Sequence, residues 1–105
     1  MATSTSEIEI LSRIVTVFLG RMRLRPEERR EILYVARGLS PIEAATREGV
    51  AVETIRTRRK VLYRKLRVPG SSELVARLLA VSLRMLTSPA EVPPVRREKK
   101  SGGPP

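Results

Sequence analysis

A cluster of basic side chains is the feature of this 105-residue sequence best suited to binding chemistry. Seven of the twelve residues from position 56 to position 67 are basic, and the one acid nearby is Glu53. The seven are Arg56, Arg58, Arg59, Lys60, Arg64, Lys65 and Arg67. Across the chain, 21 Lys and Arg, of which 17 are Arg, outnumber 11 acids. Because guanidinium and ammonium groups bind phosphate, this excess of positive charge predicts a polyanionic partner.

The residue types that the sequence lacks exclude most catalytic chemistry. It contains no His, Cys, Asp, Asn, Gln or Trp, and all of its acids are Glu. Nucleophilic triads, thiolate chemistry, histidine acid–base catalysis and the usual zinc sites need residues from this set. The most apolar stretch, 8–19, is too short and too interrupted to span a bilayer. We therefore expect no enzyme, no metal or other cofactor, and no membrane contact.

Apolar periodicity and helix-terminating residues predict an all-α fold of five helices. Apolar residues recur at intervals of three and four, as on one face of a helix. Pro26 and Pro41 suit a first helical turn, while Gly38 and Gly49 are typical of residues that end a helix. The predicted helices begin near residues 6, 26, 41, 52 and 71.

The chain divides into one small domain, one extra helix and two tails. Residues 1–5 and the basic Pro- and Gly-rich segment 88–105 are predicted to be disordered. Residues 6–24 form the additional N-terminal helix, and residues 25–87 form the domain that carries the cations. A second apolar stripe on the first helix, Ile10, Ile14 and Val17, is a candidate dimer interface. Alternatively, the stripe packs against its own domain or docks a different protein.

One face of the predicted fourth helix, Val52 to Leu66, combines cations with short polar side chains. At about 100° per residue, its apolar residues share one side and the polar set lies opposite. The outward set is Glu53, Thr57, Lys60 and Arg64, with Arg56 at its flank. Insertion into a DNA major groove needs such a face, because phosphates attract cations and base edges form hydrogen bonds with Arg or with short polar side chains. The alternative is an ordinary solvated helix face.

Three motifs in the stretch 24–85 carry a family resemblance. They are Ala36-Arg-Gly-Leu-Ser40, the run Thr54-Ile-Arg56, and Lys65-Leu-Arg-Val68. The stretch resembles the LuxR/GerE-type helix-turn-helix family. The resemblance implies a four-helix DNA-binding bundle, used by bacterial transcription regulators that bind as dimers through the last helix. On that helix it makes Leu78, Val81 and Met85 candidate residues of the dimer interface. Members commonly carry this domain beside a receiver or ligand-binding domain, and we expect a stand-alone form here.

The resemblance also implies roles for individual residues. Arg56, Thr57 and Lys60 match base-facing and groove-facing positions, while Thr54 and Arg58 match positions that usually touch phosphates. With the outward face added, the candidate DNA-binding residues are Glu53, Thr54, Arg56, Thr57, Arg58, Lys60 and Arg64. Further candidate phosphate contacts are Ser40, Arg59 and Lys65.

The sequence departs from the family pattern at four positions. Arg25 and Ala51 replace Thr and Ser residues that commonly cap helices, and each lost cap should cost about 1 kcal/mol. Arg58 stands where His is frequent and Arg67 where Gly is found. We expect the two added arginines to strengthen phosphate binding.

Together these observations predict a cytoplasmic, nucleoid-associated bacterial transcription regulator that binds an inverted repeat of double-stranded DNA as a homodimer. Because Asn and Gln are absent, direct readout must use Arg or Lys on guanine and Thr methyls on thymine. No small-molecule ligand is expected. Two alternatives remain: an adaptor that contacts RNA polymerase or another protein, and a nucleoid-associated protein that coats DNA.

Overall fold

The computed structural model describes residues 5–87, and all of the regular structure in this range is α-helical. The helices are α1 (Thr5–Leu19), α2 (Pro26–Ala36), α3 (Pro41–Glu48), α4 (Val52–Leu66) and α5 (Ser71–Thr87). The predicted all-α class is thus confirmed. Within residues 5–87, none of these helices has both the length and the apolarity needed to cross a bilayer. The segments predicted to be disordered, 1–5 and 88–105, lie outside the described residues except for Thr5.

The first helix ends five residues earlier than predicted. Gly20 adopts a left-handed φ of 59°, and its N–H donates to the Thr16 carbonyl at 3.2 Å. This geometry closes α1 at Leu19, as glycine commonly does at a helix end. Met22 and Leu24 continue the apolar spacing beyond Gly20 but lie in the connection to α2. Periodicity alone therefore overestimates the length of this helix.

The ends of α3 follow the predicted local chemistry. The Ser40 hydroxyl accepts from the Glu43 backbone N–H at 3.2 Å, and a Glu43 carboxylate oxygen accepts from the Ser40 backbone N–H at 2.8 Å. These two bonds form a capping box, which satisfies backbone donors that a helix start leaves unpaired. Gly49, with φ of 70°, ends the helix and starts the turn to α4.

The starts of α2 and α4 lack the side-chain caps that α3 has. At α2, a Glu28 oxygen accepts from the Arg25 backbone N–H at 3.0 Å, but the Arg25 guanidinium has no acceptor with which to complete a capping box. At α4, Ala51 occupies the N-cap position without a side-chain hydrogen bond. The α4 end is also unusual, since Arg67 is the one non-glycine residue in the described range with a positive φ, 59°.

Two adjoining apolar clusters hold the helices together. The smaller cluster joins α3 to α4, where Ala44 and Ala45 allow a close approach to the fully buried Ile55. The larger one joins α1, α2, α4 and α5, with α1 packed against α5 and α2. Its buried members are Val15, Ile32, Val35, Leu62, Leu66, Val68, Leu74 and Leu78. The α3–turn–α4 unit is thus fixed on a common core.

The core also corrects the predicted orientation of α5. Leu78 and Val81, predicted to lie in a dimer interface, are buried inside the protomer. Both turn inward together with Leu74, which is fully buried. The exposed apolar residues of α5 are instead Val75, Leu79, Leu83 and Leu86.

The uncapped start of α4 predicts a stabilising substitution, Ala51→Ser. The backbone of Ala51 is already extended, at φ −69° and ψ 150°, as an N-cap residue requires. A serine hydroxyl there can accept from an orphan N–H of the first turn, and we expect about 1 kcal/mol of added stability. Urea unfolding measures the change. Ala80→Ser, at an exposed position inside α5, is the matched control and should not stabilise. An equal effect of both substitutions would contradict the capping argument.

Candidate nucleic-acid interface

The outer face of α4 is exposed as the helical pattern predicts. Ile55, Leu62 and Leu66 are buried and fix the inner side of the helix against α3 and the main core. Six of the seven candidate DNA-binding residues are exposed, and Arg58 is partly buried. The exposed six are Glu53, Thr54, Arg56, Thr57, Lys60 and Arg64. The interior contacts of α4 therefore determine which of its side chains face solvent.

The cations of this outer face are weakly engaged within the protein. Arg56 donates to Glu53 at 2.7 Å, but both side chains are at least half exposed, and such a surface pair contributes at most about 1 kcal/mol. Lys60 and Arg64 have no ion-pair partner within the described range. When an anionic ligand binds, Arg56 can therefore release Glu53, while Lys60 and Arg64 need to release only water.

Arg59 is placed differently from the prediction, which gave it as a candidate phosphate contact. Its side chain is buried, where Nε donates to Glu31 Oε2 at 2.5 Å and Nη2 donates to the Leu39 carbonyl at 3.0 Å. Arg59 thus ties α4 to α2 and to the residue before the α3 cap. Removing one partner of a buried ion pair leaves an uncompensated charge, which costs about 3 to 5 kcal/mol. We therefore assign Arg59 to the fold and not to the interface.

Arg58 belongs to a network centred on Glu48, the last residue of α3. The Glu48 side chain is only 7% exposed. It accepts from Arg30 Nε at 2.8 Å, Arg30 Nη2 at 3.0 Å, the Tyr34 hydroxyl at 2.6 Å and Arg58 Nη1 at 2.8 Å. The hydrogen bonds from Arg30, followed by those from Tyr34 and Arg58, lower the pKa of Glu48 to about 2 against the opposing effect of burial. Glu48 therefore stays ionised at neutral pH.

Lys65 and Ser40, the remaining candidate phosphate contacts, both have partners within the fold. Lys65 Nζ donates to both oxygens of the buried Glu28 carboxylate, at 3.0 and 2.8 Å. Burial raises the pKa of Glu28, but the bonds from Lys65 and the Arg25 backbone N–H outweigh burial and lower it. Both Lys65 and Ser40 remain exposed, so each can still meet an anion.

Sequence reasoning missed the acids that hold these cations. Glu28 and Glu31 lie seven and four residues before the buried Val35, on the apolar stripe of α2. A carboxylate on such a stripe must find a cation, since an unpaired buried charge is too costly. That signal could have predicted buried ion pairs from the sequence. The role of Glu48 had no comparable signal, because it depends on how α3 ends beside α2 and α4.

The chain was compared with protein-family models, with curated proteins and with solved structures, and none of them matches. The LuxR/GerE resemblance therefore stays a prediction. Functional inference for this chain rests on the geometry and charge of the α4 face and its supporting network.

The depressed pKa of Glu48 predicts an acid-sensitive contribution to stability. Its folded value, about 2, lies below the ordinary 4.5, so the stabilisation is complete above about pH 4.5 and is lost as the pH falls toward 2. We expect Glu48→Gln to lower the free energy of unfolding at pH 7 by up to about 3 kcal/mol and to flatten its decline between these pH values. Urea unfolding at pH 7 and pH 3 measures both effects.

Glu73→Gln provides the control for this prediction. It removes the exposed pair with Arg77 on α5 and should change stability at pH 7 by less than about 1 kcal/mol. A Glu48→Gln variant as acid-sensitive as the wild type would show that Glu48 does not supply this stabilisation.

Proposed function

We propose that this protein is a sequence-specific double-stranded DNA-binding transcription regulator of LuxR/GerE type. In this proposal α2 to α5 are the four-helix domain, α3 and α4 are the helix-turn-helix, and α4 enters the major groove. The observation that carries the proposal is that the polar side chains of α4 fall into two sets, one paired within the fold and one directed to solvent. Arg58, Arg59 and Lys65 are paired with buried acids, while the outward face offers threonines and weakly engaged cations.

The outward residues divide into two binding roles by position and pairing. Lys60 and Arg64 lack protein partners within residues 5–87, which suits them to phosphate oxygens. Arg56 is held only by the exposed Glu53, and its guanidinium can exchange that carboxylate for the edge of guanine. Thr54 and Thr57 offer hydroxyls for phosphates and methyls for thymine.

The proposed homodimer uses the apolar surface shared by α1 and α5. The two helices pack on one another, and the groove between them is lined by Leu11, Ile14, Val75 and Leu79. With the buried Leu78 and Val81 removed, the proposed interface combines the predicted α1 residues with the exposed edge of α5. It consists of Ile10, Ile14, Val17, Val75, Leu79 and Leu83, while the predicted Met85 follows the inward stripe of α5 and is only partly exposed. Such a dimer would set two α4 helices in successive major grooves, about 34 Å apart.

Selection of bound duplexes from a random pool tests the proposal. We expect the wild type to enrich an inverted repeat with G·C pairs in each half. Arg56→Ala should lose preference at one position per half-site, worth about 1 to 3 kcal/mol, because it removes a base contact. Arg64→Ala is the matched control on the same face and should weaken all sequences alike, because it removes a phosphate contact.

Three results would contradict parts of this proposal. Equal effects of both substitutions on enriched and random duplexes would contradict base readout by Arg56. Binding without enrichment would favour a DNA-coating protein. No retained DNA would favour the adaptor that contacts RNA polymerase or another protein.

The dimer predicts that Leu79→Lys produces monomers. A charge placed in an apolar interface should cost about 2 kcal/mol, which weakens self-association roughly thirtyfold. Sedimentation velocity measures the oligomeric state, and the variant should also lose affinity for the inverted repeat. Met22→Lys is the control, since Met22 is a similarly exposed apolar residue in the α1–α2 connection. If Leu79→Lys sediments like the wild type, α5 is not the interface.

A further inference from the structure

The Glu48 network contains one more cation than its carboxylate needs for charge balance. Arg30 from α2 and Arg58 from α4 both donate to Glu48, although a single guanidinium would neutralise it. The cluster therefore carries a net positive charge. A carboxylate oxygen pair offers about four acceptor sites, and two bonds from Arg30, one from Tyr34 and one from Arg58 fill them. Glu48 has no acceptor capacity left for other donors.

The two guanidinium groups keep donors that point away from Glu48. Arg30 uses Nε and one N–H of Nη2, which leaves Nη1 and the second N–H of Nη2. Arg58 uses one N–H of Nη1, which leaves Nε, Nη2 and the second N–H of Nη1. Within the described residues, no further acceptor bonds to either group. Their side chains are 50% and 24% exposed, so solvent or a ligand reaches both.

The position of this pair adjoins the proposed DNA-binding face. Thr54 and Arg58 are one helical turn apart on α4, and Arg58 meets Arg30 of α2 at the Glu48 carboxylate. Arg30 Nη2 and Arg58 Nη1 both donate to Glu48 Oε1, at 3.0 and 2.8 Å, so the two guanidinium groups are neighbours at that oxygen. Fixing two arginine side chains before binding reduces the conformational entropy that a ligand must otherwise overcome. An anion that accepts hydrogen bonds on several oxygens fits this arrangement.

We propose that Arg30 and Arg58, held side by side on Glu48, bind one phosphate group of the DNA backbone, with Glu48 as their positioning residue. This inference rests on the proposed DNA binding and adds α2 to the contact surface. Glu48 acts only through the two arginines, since its buried carboxylate would repel the phosphate itself.

The test uses the full chain and a fluorescent duplex of random sequence, because a phosphate contact does not depend on base sequence. Binding is measured by anisotropy over a range of NaCl concentrations. Arg30→Ala should lower the slope of log affinity against log salt by up to about 0.9, the value for one fully lost phosphate contact, and weaken binding several-fold at physiological salt. Arg30→Lys keeps the positive charge but lacks the planar guanidinium with its paired N–H donors. We therefore expect an unchanged salt slope with weaker binding. Arg77→Ala, which removes a similarly exposed arginine paired with Glu73 on α5, should match the wild type.

Glu48→Gln separates positioning from simple charge. If net charge alone determined the affinity, removal of the negative charge of Glu48 should tighten DNA binding. Positioning by Glu48 instead predicts weaker binding and a reduced salt slope, at a temperature where circular dichroism shows the variant folded. If Glu48→Gln is not folded, Arg30→Ala and Arg30→Lys still decide whether the guanidinium groups bind a phosphate.

The outcomes distinguish this inference from the proposed function. A wild-type salt slope in Arg30→Ala, together with a reduced slope in Arg64→Ala, would overturn the phosphate site and leave the proposed function intact. Tighter binding by folded Glu48→Gln would likewise overturn the positioning role. Failure of the wild type to bind any duplex would overturn the proposed function and this inference with it.

Discussion

The pairing of three buried carboxylates with cations of α4 is the constraint on which the rest of the structure depends. Glu28 and Glu31 on α2 and Glu48 at the end of α3 meet Lys65, Arg59 and Arg58. A buried carboxylate without its cation destabilises the folded state by several kcal/mol. A rotation of α4 about its axis, or a shift of α4 along α2, would break these ion pairs and carry that cost in free energy. The apolar core favours one inner side of α4, and the ion pairs fix its orientation closely.

The same constraint explains how a helix with so many like charges is tolerated. Repulsion between neighbouring cations destabilises an isolated helix. Here Arg58, Arg59 and Lys65 are compensated by acids of other helices, while Lys60 and Arg64 stay on the outer face without a partner among the described residues. The result is a helix that is held rigidly on one side and is strongly positive on the other. This combination is what the proposed insertion into a DNA groove requires.

Much of the fold was predictable because it is encoded locally. Pro41, Ser40 and Gly49 mark the ends of α3, and periodicity alone gave the exposed face of α4. Longer-range features were not predictable in this way. Arg59 pairs with a residue 28 positions away, which no local pattern reveals. On α5 nearly every face is apolar, so periodicity could not decide whether Leu78 or Leu79 faces the core.

The proposed function requires that the outer face of α4 contacts DNA. Isotope-labelled protein titrated with a random-sequence duplex, with the amide chemical shifts monitored by NMR, would locate the contact surface. We expect the largest shifts on residues 53–64, with smaller ones near Arg30 on α2. Shifts confined to other parts of the chain, with the amides of α4 unmoved at saturation, would contradict this requirement.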